Sequence, residues 1–128
     1  MIIKIDFESE VPIYEQLRRQ IIEGIALGNL KLGESLPSVR QLAEDIGINL
    51  HTVNKAYNEL KSDGYLNIDR RKGAVVSETL PESTEDFDKK LEEGFTYLIS
   101  EAYLRGKKID DILQLCSGIF KKYIKIDK

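Results

Sequence analysis

Cysteine is almost missing from this chain. Cys116 is its one thiol in 128 residues, so no internal disulfide can form and no cysteine-based zinc site can be assembled. Histidine is equally scarce, with His51 alone. A single imidazole leaves no set of base, nucleophile and orienting group, and there is no Gly-rich phosphate loop, so a small enzyme finds almost no support. No window approaches the ~20 consecutive apolar residues that a membrane-spanning helix needs. The opening "MIIKIDFESE" has no long apolar run behind a basic start, so it does not read as a signal peptide. A cytoplasmic chain without cofactor or metal is expected. Also lacking is a basic excess: the net charge is -3. Residues 1–80 hold 10 Lys and Arg against 12 Asp and Glu, and the remainder 9 against 10. Any contact with nucleic acid must therefore come from a local patch.

What is present describes a folded domain. Hydrophobic residues make up 41% of the chain and charged residues 32%, which argues against global disorder. The length suits one domain, or a small domain with a short appendage. Residues 2–7, "IIKIDF", predict a short strand or an extended arm. Beyond Pro12, the residues Ile13, Leu17, Ile21 and Ile25 recur every four positions and predict a helix that ends near Gly28. The loop "GNLKLGESLP" follows. Ser38 with Gln41 three residues on is a capping-box pattern, and Val39, Leu42, Ala43 and Ile46 form the buried stripe of a second helix, which Gly47 stops. Asn49 is the expected N-cap of a third helix, with Ile48 and Val53 as a hydrophobic staple and Val53, Ala56, Tyr57 and Leu60 facing inward. "YLNI" and "AVVSE", joined by "DRRKG", predict a hairpin.

Two short helices around a Gly-centred turn, with small Ala43 and Gly47 expected where the helices cross, make a helix-turn-helix. A helix in front and a hairpin behind make it a winged helix. The polar break at 80–86 divides this unit, residues 1–79, from a tail, residues 80–128. The expected fold class is mainly α with a small β-hairpin: a winged helix-turn-helix domain plus a short two-helix C-terminal dimerisation tail. In the tail Phe87, Leu91, Phe95, Leu98 and Ala102 form one apolar stripe, and Ile112, Leu113, Cys116, Ile119, Phe120 and Tyr123 belong to another. The tail is too short to bury these stripes alone, so two copies are expected to pair as a four-helix homodimer interface, with Cys116 as a buried thiol on an apolar face.

In a helix-turn-helix the second helix of the pair enters the major groove of double-stranded DNA, and its first residues reach base edges. Here those are Asn49, His51 and Thr52, with Lys55 one turn on for a phosphate or a guanine. Arg70, Arg71 and Lys72 give the hairpin tip three adjacent cations for the DNA backbone. Plainer readings stand beside these. Arg40 could pair with Glu44, His51 and Lys55 could simply be solvated, Thr52 could only support the helix start, and the tip could be a solvated turn. A winged-helix scaffold that binds protein instead of DNA is the alternative function.

The order and spacing of the segments resemble one family. "GNLKLGESLPSVRQLAEDIGINLHTVNKAYNELKSDGYL" followed by "RRKGAVV" looks like the DNA-binding half of a GntR-family transcriptional regulator, over roughly residues 12–77. "VPIYEQL" and "HTVNKAY" resemble its YtrA-like subgroup, whose members end in a short two-helix tail, here residues 84–125. The resemblance implies that Ser38 and Arg40 belong to the "LPSxR" element whose Arg reads DNA, and that Gly73 is the wing glycine. The homodimer expected from the tail calls for a two-fold operator, and the resemblance implies a repressor, usually near transporter genes. No large effector domain follows, so any small-molecule effector, of unknown identity, would occupy a small cleft and alter the spacing of the two heads. Leu50 departs from the pattern, because many members carry Arg there. A guanine contact is therefore unavailable from that position, an apolar contact with a thymine methyl is open to it instead, and the family's base preference does not carry over.

Overall fold

The computed structural model describes residues 1–69, 71 and 73–124. Among these residues seven elements follow one another: α1 (Ile13–Ala26), α2 (Val39–Ile46), α3 (Leu50–Ser62), β1 (Leu66–Asp69), β2 (Gly73–Val76), α4 (Glu85–Leu104) and α5 (Ile109–Ile124). They divide into two compact units, Met1–Pro81 and Glu82–Lys128.

The first unit is built on one apolar cluster. Leu17 and Ile21 of α1, Leu42 and Ala43 of α2, and Val53, Ala56, Tyr57 and Leu60 of α3 are all buried in it, joined by Leu30, Leu36, Leu66, Ala74 and Val76. The predicted stripes thus point inward on all three helices. Burial of each large apolar side chain is worth about 1.5–3 kcal/mol, which makes this cluster the main source of stability. Two polar ties fix α3 further. Arg18 on α1 reaches Asp63 at 2.8 Å and Glu59 at 3.7 Å. Burial alone would lower the pKa of Arg18, but the hydrogen bond to Asp63 and the charges of Asp63, Glu15 and Glu59 raise it overall, so the guanidinium stays charged. The Tyr57 hydroxyl donates to the Pro37 carbonyl oxygen at 2.8 Å and ties α3 to the segment that enters α2.

Local chemistry sets the helix ends. Ser38 Oγ accepts from the Gln41 N–H at 3.0 Å, half of the expected capping box. The other half does not form, because the Gln41 amide donates to Asp45 Oδ1 at 2.7 Å instead. Gly47 takes the left-handed conformation, φ 67° and ψ 39°, as the C-cap of α2. A Cβ there would meet nothing within 4 Å. Its role is therefore conformational, and the close helix crossing expected of it is not what it serves.

The arm at residues 2–7 is not a strand among the described elements. Gln20 bonds both the N–H and the carbonyl of Lys4, at 2.9 and 2.6 Å, and Gln16 does the same for Asp6, at 2.9 Å each. Two side-chain amides one helical turn apart take the place of a neighbouring strand. The hairpin pairs Leu66 with Val76 and Asp69 with Gly73. The loop before α2 adds a third, short partner through an antiparallel bridge from Ser35 to Val75.

The second unit is different in kind. Thr84 caps α4 by accepting from the Phe87 N–H at 3.1 Å, and Glu85, Asp86 and Asp88 in the first turn suit the positive end of the helix dipole. Yet no residue of α4 or α5 is buried. Phe95 is 45% exposed and Leu98 63%, while Cys116 is half-buried in the single chain. Among the described residues of the second unit, nothing buries this apolar face.

Removing the Tyr57 hydroxyl in Tyr57→Phe deletes the bond to Pro37 and should cost about 1 kcal/mol in urea denaturation near neutral pH. Burial pushes the Tyr57 phenol above its ordinary range. A raised folded-state pKa means that this contribution is intact below the unfolded value of ~10 and is lost as pH climbs past it. The stability of the native chain should therefore fall above about pH 10 more steeply than that of Tyr57→Phe, by up to ~1 kcal/mol per pH unit.

Candidate nucleic-acid interface

The first turn and a half of α3 is exposed because the opposite side of the helix is committed to the cluster. Asn49, His51 and Lys55 are exposed and Thr52 is half-buried. Leu50, at 39% exposure, points an apolar group to the surface. Asn49 is the N-cap: its Oδ1 accepts from the His51 N–H at 2.7 Å. The cap uses one lone pair of that oxygen, and the side chain keeps its –NH2 to donate.

Asn49, His51, Thr52 and Lys55 line one surface concavity together with Tyr14 of α1. Lys55 does not hang free. Its Nζ sits 3.8 Å from the centre of the Tyr14 ring, a cation–π geometry that narrows the range of a flexible side chain. Tyr14 was not among the candidate residues. It falls one position off the Ile13–Leu17 stripe, and only the folded packing of α1 on α3 brings it to Lys55.

The remaining candidates lie outside the concavity. Ser38 spends an oxygen lone pair on its cap and keeps its hydroxyl hydrogen to donate. Arg40 is exposed on the first turn of α2, and among the described residues it has neither the ion pair with Glu44 nor any other. On the hairpin, Arg71 is exposed and its backbone N–H donates to Asp69 Oδ1 at 2.7 Å. Gly73 begins β2 with φ 76°, a left-handed value that suits glycine. Arg70 and Lys72 lie outside the described residues. Among the described residues no group of His, Cys, Asp and Glu could hold a metal ion, and no helix is long and apolar enough to cross a membrane.

Residues 13–76 match the model of the family described as bacterial regulatory proteins, gntR family. The HTH-type transcriptional repressor YtrA of Bacillus subtilis (strain 168) is 37% identical over 111 residues, covering 86% of this chain and 85% of that protein. Among solved structures, a transcriptional antiterminator from Listeria monocytogenes EGD-e superposes with a TM-score of 0.85 at 29% identity, over 94% of this chain and 93% of that one. YtrA from Sulfolobus acidocaldarius, a GntR-family transcription factor, is 42% identical with a TM-score of 0.65, over 78% of this chain and 99% of that one.

Because Asn49 caps α3, Asn49→Ala should lower stability by about 1 kcal/mol, while Asn49→Asp, which keeps an accepting oxygen, should not. Chemical denaturation of the three proteins separates the cap from whatever the amide nitrogen does.

Proposed function

Because the chain belongs to the GntR family of bacterial regulatory proteins and is a DNA-binding transcriptional regulator, we propose that it represses its target genes as a homodimer seated on a two-fold operator. The observation that carries this reading is the exposed, polar first turn of α3, bearing Asn49, His51, Thr52 and Lys55 on the side away from the core. This helix enters the major groove. Arg40, free of any ion pair among the described residues, extends from α2 to a base edge or phosphate at the mouth of the groove. Ser38 donates to the DNA backbone beside it, Leu50 packs against a thymine methyl, and the hairpin tip from Arg70 to Gly73 lies along the phosphates. The repressor sense is supported by the name of the B. subtilis relative. The rival reading, a winged-helix scaffold that binds protein, has no support in these relatives.

The homodimer is supported by the second unit. Phe87, Leu91, Phe95, Leu98 and Ala102 of α4 and Ile112, Leu113, Cys116, Ile119, Phe120 and Tyr123 of α5 form an apolar face that the described residues of the second unit do not bury. A second copy presents the same face, and closure around a two-fold axis buries both. Such a dimer blocks transcription by occupying both half-sites at once.

Two measurements test the reading. In fluorescence anisotropy against DNA from upstream of its own gene, Arg40→Ala should weaken binding by one to two orders of magnitude, the ~1–3 kcal/mol of a good base contact. Unchanged affinity would remove Arg40 from the interface. In sedimentation, the native chain should run as a dimer, and Phe95→Glu with Leu98→Glu should run as a monomer of unchanged helix content. A native monomer at micromolar concentration would sink the tail interface.

A further inference from the structure

The concavity between α1 and α3 is rich in hydrogen-bond donors and has a cation fixed at its edge. Its five lining residues, Tyr14, Asn49, His51, Thr52 and Lys55, include no carboxylate, although acidic residues outnumber basic ones in the chain, 22 to 19. Each lining side chain can donate a hydrogen bond: a phenol, an amide, an imidazole, a hydroxyl and an ammonium. One lone pair of the Asn49 amide oxygen accepts from the His51 N–H at 2.7 Å, while its –NH2 keeps both hydrogens to donate. A base edge in the major groove presents donors and acceptors in alternation, whereas a phosphate oxygen only accepts. The cation is also placed in advance. Lys55 Nζ rests on the Tyr14 ring at 3.8 Å, with N–H groups still free to point away from the ring.

We propose that this concavity is a seat for one backbone phosphate of the bound DNA, and that Tyr14 belongs to it, both as a direct donor through its hydroxyl and as the residue that positions Lys55. The proposal rests on the DNA-binding reading above and refines it. Lys55, His51, Thr52 and the Asn49 amide nitrogen hold the sugar-phosphate strand and set the depth of α3 in the groove. Base discrimination then falls to Arg40 and Leu50, which lie outside the concavity.

The test compares the native chain with Tyr14→Phe, Tyr14→Leu, Lys55→Met and Lys55→Arg. Each is titrated by anisotropy onto its upstream DNA and onto a random duplex of equal length, between 50 and 200 mM salt. A phosphate seat predicts that Lys55→Met weakens both duplexes by a similar factor, about tenfold, and reduces the magnitude of the log–log salt slope by about 0.9. Lys55→Arg should restore the slope. Tyr14→Phe, which keeps the ring, should lose a few-fold on both duplexes with the slope intact, and Tyr14→Leu should lose more on both. The proposal is overturned if Lys55→Met or Tyr14→Phe changes the ratio of specific to random binding while the salt slope stays put, since that marks a base reader. It is equally overturned if neither variant alters affinity. Failure of the native chain to prefer its upstream DNA in a salt-sensitive way is a separate result, and it counts against the regulator reading itself.

Discussion

One-sided burial of α3 is the constraint on which the rest of the molecule depends. Val53, Ala56, Tyr57 and Leu60 are sunk in the same cluster as Leu17 and Ile21 of α1, and that fixes the rotation of the helix about its axis. Successive residues on a helix are about 100° apart, so a rotation by one position would carry a polar group such as Thr52 into the cluster and bring an apolar one out. Arg18, bonded to Asp63 at the far end of α3, and Tyr57, bonded to Pro37, resist the same rotation with directional contacts. The exposed face is thus a consequence of the buried one, and a winged-helix regulator needs both from thirteen residues.

The acidic balance of the chain is compatible with DNA because the charges are sorted. Arg18 is held by Glu59 and Asp63 on the α1–α3 side, Arg19 by Glu15, and Arg105 by Glu101 in the second unit. Those pairs neutralise carboxylates within the fold. Arg40 has no such pair among the described residues, and Lys55 rests on an aromatic ring instead of an acid. Net charge averages over both populations and so hides the one that a phosphate strand would meet.

Much of the first unit was legible in the sequence because its signals are local. Ser38, Gly47 and Asn49 announce helix ends through their own cap and turn chemistry, and the stripes on α1, α2 and α3 follow the helical period. What was not legible depends on partners distant in the chain. The Tyr14–Lys55 contact, the Ser35–Val75 bridge and the grip of Gln16 and Gln20 on the arm each join segments that only the fold makes neighbours. Gly47 shows a different limit. A small residue in a helical turn signals either close packing or a left-handed backbone, and the open space in front of its Cβ decides for the second. In the tail the apolar periodicity was plain, but among the described residues of the second unit nothing buries it.

The central claim is that two copies of the α3 face act together on DNA. Selection of bound sequences from a random duplex pool by the full chain tests it most directly. The account predicts an enriched inverted repeat whose half-sites lie about one helical turn, ~34 Å, or a multiple of it apart. Enrichment of a single unrepeated element, or of no sequence at all, would contradict it.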